Sequence, residues 1–123
     1  MLLDSNIIIY AAQAEHATLR QFIADHTPAA SVISYIEALG YHRLSEEERQ
    51  FLEQFFQATE VLPVSDAVVQ WAIRLRQRRR MTLGDAIVAG TAVEHGRILV
   101  THNTDDFSWI REINLLDPVA VRP

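Results

Sequence analysis

The stretch Met1-Leu2-Leu3-Asp4-Ser5-Asn6-Ile7-Ile8-Ile9-Tyr10 sets a short apolar strand, an acid and a second apolar run side by side. Asp4 follows the strand directly and stands at a strand-to-helix corner. The same punctuation recurs along the chain. Short apolar runs read as strands at Met1 to Leu3, Ala29 to Val32, Glu60 to Pro63, Ile98 to Thr101 and, with a weaker pattern, Asn114 to Leu116. Helical spacing lies between them: Leu19, Phe22 and Ile23 share a face, as do Phe51, Leu52, Phe55 and Phe56, and Val68, Trp71, Ala72 and Leu75. Ser45 with Glu48, Ser65 with Asp66, and Thr82 with Asp85 mark helix starts. Strands alternating with helices predict a three-layer α/β/α domain around a central, mostly parallel sheet of four to five strands. Ligands in such sheets bind outside the carboxyl ends of the strands, so acids just after strands are the candidates for chemistry.

The 123 residues show no repeat, low-complexity tract or linker, and one domain spanning 1–123 is expected. No uninterrupted apolar run is long enough to cross a membrane, and Asp4 interrupts any signal-peptide core, so a cytoplasmic protein is expected. Cysteine is absent, which excludes disulfides, thiolate metal sites and cysteine nucleophiles. The net charge of -5 argues against wrapping nucleic acid by bulk electrostatics. Lysine is missing too, and Arg74, Arg76, Arg78, Arg79 and Arg80 concentrate five of the eleven basic residues in one place. A solvated helix end, with cations complementing the macrodipole, and a phosphate- or partner-binding patch both account for that cluster.

Asp4 by itself fits an ordinary helix N-cap. Glu37 aligns at helical spacing with Ile33, Gly40, Tyr41 and Leu44, a stripe expected to be buried. Asp85 heads a stripe of Val88, Ala89 and Ala92, and it also completes a Thr82-x-x-Asp85 capping box. A buried carboxylate needs a cation or hydrogen-bond donors. The run Thr101-His102-Asn103-Thr104-Asp105-Asp106-Phe107 follows the strand at Ile98 to Val100, where a capped turn and a ligand-binding edge are both expected uses. Several acids without cysteine or a metal-type histidine pair favour a hard cation, Mg²⁺ or Mn²⁺.

Four blocks together resemble the PIN-domain family, and within it the VapC-type toxins of bacterial toxin-antitoxin pairs: Leu3 to Tyr10, Ser31 to Gly40, Leu83 to Ala92 and Leu99 to Phe107. Their order and spacing span almost the whole chain. The resemblance implies a sheet with helices on both sides, an Mg²⁺-dependent endoribonuclease, an antitoxin that blocks the site, and a homodimer. It places Asp4, Glu37, Asp85 and Asp106 at the acidic positions, as metal ligands and catalytic groups, with Asn6, Thr101 and Asn103 as polar support. RNA phosphates or an acidic stretch of the antitoxin then become the expected partners of the arginine cluster. Two departures stand out: Gly90 where alanine is usual, expected to loosen its helix slightly, and His102 where arginine is common.

Other classes fit less well. An RNA-processing PIN nuclease without a dedicated inhibitor has the same chemistry. A response-regulator-like binding module needs a phosphoacceptor after the third strand, where Pro63-Val64-Ser65 stands, and a haloacid-type phosphatase needs Asp-x-Asp where Asp4-Ser5-Asn6 stands.

Overall fold

Strand β1 (Leu2–Leu3) is the centre of the molecule, pairing in parallel with β2 (Ala29–Ser31) on one side and β4 (Leu99–Val100) on the other. In the computed structural model, which describes residues 1–119, β3 (Val61–Leu62) adds to β2 and β5 (Leu115–Leu116) to β4. The order is β3-β2-β1-β4-β5 and every pairing is parallel. Helices α1 (Ser5–Ala11), α2 (Ala17–His26), α3 (Val32–Leu39), α4 (Glu46–Ala58), α5 (Asp66–Arg78) and α6 (Leu83–Glu94) connect the strands, and a 3₁₀ turn spans Thr104–Asp106. Among the described residues no helix is long and apolar enough to cross a membrane.

Alternation along each short strand builds the layers. Leu2, Ala29 and Leu99 join Leu75 of α5 and Val88, Ala89 and Ala92 of α6 in one core cluster. Their neighbours Leu3, Ala30 and Val100 point the other way, into a cluster with Ile7, Ile8, Ala38, Leu52 and Phe56. Two-faced burial of this kind is what a parallel sheet requires, and it explains why its strands read as continuous apolar runs.

The helix starts follow the capping signals. Ser45 and Glu48 make both halves of a capping box, Ser65 Oγ accepts from the Val68 amide at 3.3 Å, and Thr82 Oγ1 accepts from the Asp85 amide at 3.1 Å. Strand β2 ends one residue earlier than its apolar run suggests, because Ser31 Oγ accepts from the Ile33 amide and turns Val32 into α3. The expected buried stripe on α3 is not formed. The helix stops at Leu39 with Gly40 as its cap, so Tyr41 and Leu44 fall outside it, and Glu37 is exposed. Ser34 and Ala38, four residues apart, are the buried pair instead. Gly90 also has a reason other than a loose helix: a Cβ there would lie 3.0 Å from Val68 O and 3.3 Å from Ala72 N, so its absence lets the backbones of α5 and α6 approach closely.

Candidate functional site

Asp4 occupies the N-cap position of α1 without capping it, having its side chain turned to the neighbouring strand end. Its own amide continues the ladder, donating to Val100 O at 2.9 Å, so Asp4 and Thr101 sit together just past the carboxyl ends of β1 and β4. There Thr101 Oγ1 donates to Asp4 Oδ2 at 2.8 Å and accepts from the Asn103 amide at 3.0 Å. That second bond aims the hydroxyl proton at the carboxylate. Asp4 is only 3% exposed, and its pKa rises from 3.8 to about 6. Burial is the main cause, the Thr101 hydrogen bond opposes it, and the charges of Asp85 and Glu37 push further upward.

Glu37 arrives from α3. Ser5 Oγ donates to its Oε1 at 2.7 Å and lies 2.8 Å from Ser34 Oγ. A hydroxyl has one proton to give, so Ser34 is the donor in the serine pair. Both serines are buried, and they fix one carboxylate oxygen. The other reaches the start of α6: a Cβ on Gly84 would stand 2.5 Å from Glu37 Oε2, so glycine makes room for the carboxylate.

Asp85, in the first turn of α6, is half-buried, and its pKa is raised by burial first, then by the charge of Asp106, with a smaller contribution from Glu37; the Thr82 hydrogen bond opposes these. Asp106 ends the 3₁₀ turn. Fully buried Phe107 anchors that turn in the core, and Trp109 Nε1 donates to Asp106 O at 3.0 Å. Beyond these two acids opens a cleft of about 490 Å³, lined by Asp85, Asp106 and Trp109 together with Arg76, Arg79 and Arg80. Asp105 is exposed and is not part of the cleft lining.

The fold therefore brings Asp4, Glu37 and Asp85 within electrostatic reach of one another and sets Asp106 beside Asp85, while dividing the arginine cluster. Arg78 forms a two-pronged ion pair with Glu112 at 2.9 and 2.7 Å, and Arg74 lies over the Trp71 ring at 5.1 Å. Neither lines the cleft. Asn6 is exposed, and its neighbour Ser5 makes the contact to Glu37; Asn103 contributes its backbone amide. His102 pairs with Asp117 at 3.0 Å. Sequence reasoning missed Ser5, Ser34 and Trp109. The one local signal for Ser34 is its position three residues before Glu37, on the same side of α3.

Among the described residues no three Asp, Glu or His groups stand close enough together to hold an ion unaided. That spacing still suits Mg²⁺, which is held by one or two carboxylates and keeps several waters. The donors are all oxygen, and the pKa values of Asp4 and Asp85 are raised first by burial and then by neighbouring carboxylates, two penalties on negative charge that a cation would relieve.

A family model described as the PIN domain matches residues 1–113. No curated protein sequence matches the chain. Among solved structures, one chain of a toxin-antitoxin complex from Klebsiella pneumoniae is 26% identical, with a TM-score of 0.73 over 95% of this chain and 96% of that one. A chain of DNA-bound VapBC from Salmonella typhimurium is 22% identical, with a TM-score of 0.82 over 95% and 96%. A chain of FitAcB from Neisseria gonorrhoeae is 18% identical, with a TM-score of 0.78 over 98% and 99%.

Proposed function

The chain belongs to the PIN-domain family, and from that premise we propose that it is an Mg²⁺-dependent endoribonuclease, the toxin of a type II toxin-antitoxin pair. The observation that carries the chemistry is the run of neighbouring acids beyond the carboxyl ends of β1 and β4, with Asp85 coupled to Asp4 and Glu37 on one side and to Asp106 on the other, leading into a cleft that also holds three arginines. Mg²⁺ or Mn²⁺ held directly by one or two of these acids, and by the others through waters, would polarise a phosphate oxygen and acidify a coordinated water. Asp4 is held in place for this by Thr101, and Glu37 by Ser5. With Oε1 occupied, Glu37 offers Oε2 to take the proton of the attacking water. Arg76, Arg79 and Arg80 neutralise the RNA phosphates that the acids alone would repel.

Purified protein incubated with total RNA should cleave it with Mg²⁺ and stop on addition of EDTA, and Asp4→Asn should remove the activity. Cleavage that survives EDTA, or proceeds in the variant at the rate of the unsubstituted protein, overturns the assignment.

The toxin role is supported by the Klebsiella chain, whose structure is a toxin-antitoxin complex. It is also supported by large apolar side chains left exposed in two places. Val69, Ile73 and Leu83 rim a groove of about 350 Å³ between α5 and α6, and Tyr35 and Ile36 stand out from α3. We assign one to an antitoxin and the other to a second copy, in a cytoplasmic homodimer. A short gene for a DNA-binding-type protein immediately upstream is expected, and co-expression with its product should give a stable complex that no longer cuts RNA. A housekeeping RNA-processing enzyme would show no such inhibitor.

A further inference from the structure

We infer that Trp109 is a stacking platform for an unpaired base of the RNA, beside the phosphate addressed by the acids. This rests on the nuclease reading and extends it to a residue that grips the substrate next to the acids. Trp109 is half-buried: it packs against the core cluster that includes Phe107 and Ile110, yet it also lines the open cleft with Asp85 and Asp106. Its indole N–H donates to Asp106 O at 3.0 Å, which ties the ring to the residue whose charge faces Asp85. The Arg79 guanidinium lies 5.6 Å from the ring centroid.

Three features make this a nucleotide site rather than a strut. A tryptophan needed only for packing gains most by full burial, and this one leaves part of its surface in a polar cleft. Next, Arg76, Arg79 and Arg80 make no ion pair among the described residues, although two carboxylates line the same cleft; Arg78, one residue before Arg79, is satisfied by Glu112. The cleft thus keeps positive charge available to a phosphate. Finally, a π-face with unpaired guanidiniums around it is the combination that binds single strands, where each base has a free face and each linkage a charge. Duplex RNA stacks its base faces on one another and would present backbone, 2′-hydroxyls and base edges but no free face. Arg79, held by no carboxylate, can move off the ring as a base arrives.

The test uses protein carrying Asp4→Asn, which leaves RNA uncut, and Trp71→Phe, which makes Trp109 the only tryptophan of two. Titration with a single-stranded oligoribonucleotide should quench Trp109 emission to saturation, and the same sequence as a duplex should not. Adding Trp109→Leu should weaken single-strand binding about tenfold or more, the loss of one stacked base, while Trp109→Phe should restore most of it. Equal quenching by duplex overturns the inference. So does Trp109→Phe as weak as Trp109→Leu, which assigns the residue to the indole bond with Asp106. If Trp109→Leu fails to fold, the comparison of quenching by single strand and duplex decides alone. Should the unsubstituted protein neither bind nor cut RNA, the nuclease reading fails and the platform with it; if it cuts RNA but Trp109 responds to neither form, only the platform fails.

Discussion

The acids fall into two halves held in different ways. The inner half, Asp4 and Glu37, is gripped by hydroxyls: Thr101 on Asp4, and Ser5 on Glu37 with Ser34 behind it. The outer half, Asp85 and Asp106, rests on backbone, the first turn of a capped helix and a 3₁₀ turn pinned by Phe107 and Trp109. The inner carboxylate Asp4 is dry and resists ionisation; Asp106 is exposed to solvent. A site built this way has one preorganised wall and one adaptable wall, and a substrate or ion meets the rigid side with its position already set.

The comparison is most sharply tested at Asp4. Asp4→Asn should lower cleavage by about a thousandfold, as loss of a preorganised charge does. It should also stabilise the metal-free protein. The folded pKa of about 6 lies above the ordinary 3.8, so between these values folded protein keeps a proton that the unfolded chain has released. The contribution of Asp4 to stability is therefore greatest below pH ~4 and falls as pH rises toward ~6, by about 3 kcal/mol for a shift of roughly two units. Thermal melts in EDTA across that window should show the slope in the native protein and its loss in Asp4→Asn. A flat native profile would mean that the inner wall is not strained by charge.

Thr101→Val should come next, with cleavage reduced about 10- to 100-fold, typical of losing a group that orients a metal ligand. Removing its hydrogen bond raises the Asp4 pKa further, so the rising limb of the pH–rate profile should move to higher pH. An unmoved limb would detach Thr101 from the chemistry.

Gly84→Ala probes the seam between the halves. The added Cβ would drive Glu37 Oε2 from its place, since that oxygen stands only 2.5 Å away. Cleavage should drop about tenfold, while stability changes by less than about 1 kcal/mol because a flexible side-chain end can move and alanine favours the helix. A large loss of stability with normal cleavage would show that Glu37 is not the group displaced.

Asp106→Ala should have the smallest measurable effect, a loss of several-fold in cleavage recovered by raising Mg²⁺, because water replaces an outer ligand. Asp105→Ala, outside the cleft lining, should be silent. The reverse order would shift the site by one residue.

Local pattern made some of this legible and hid the rest. The strand, acid and helix at Leu3-Asp4-Ser5 are adjacent in sequence, and so are Thr82 and the amide it caps, which is why the elements and the acids at their ends could be read. Glu37 was singled out on a stripe that does not exist; what places it is a bond to Ser5, 32 positions away. No periodicity reports such a contact. The arginine run likewise gives no sign that Arg78 faces Glu112 while Arg79 faces the cleft, because that sorting depends on where α5 ends relative to the last turns of the chain.

The placement of β1 between β2 and β4 has a consequence for synthesis. Of the five strands, β1 is made before the others yet lies at the middle of the sheet, and Asp4 meets its hydrogen-bond donor Thr101 only after 97 further positions have been translated. At roughly 5–20 residues per second, that is an interval of seconds during which the nascent chain lacks an assembled inner wall. Vectorial synthesis thus imposes a delay of its own: the carboxylate and the hydroxyl that orients it cannot meet until nearly a hundred codons beyond that of Asp4 have been read.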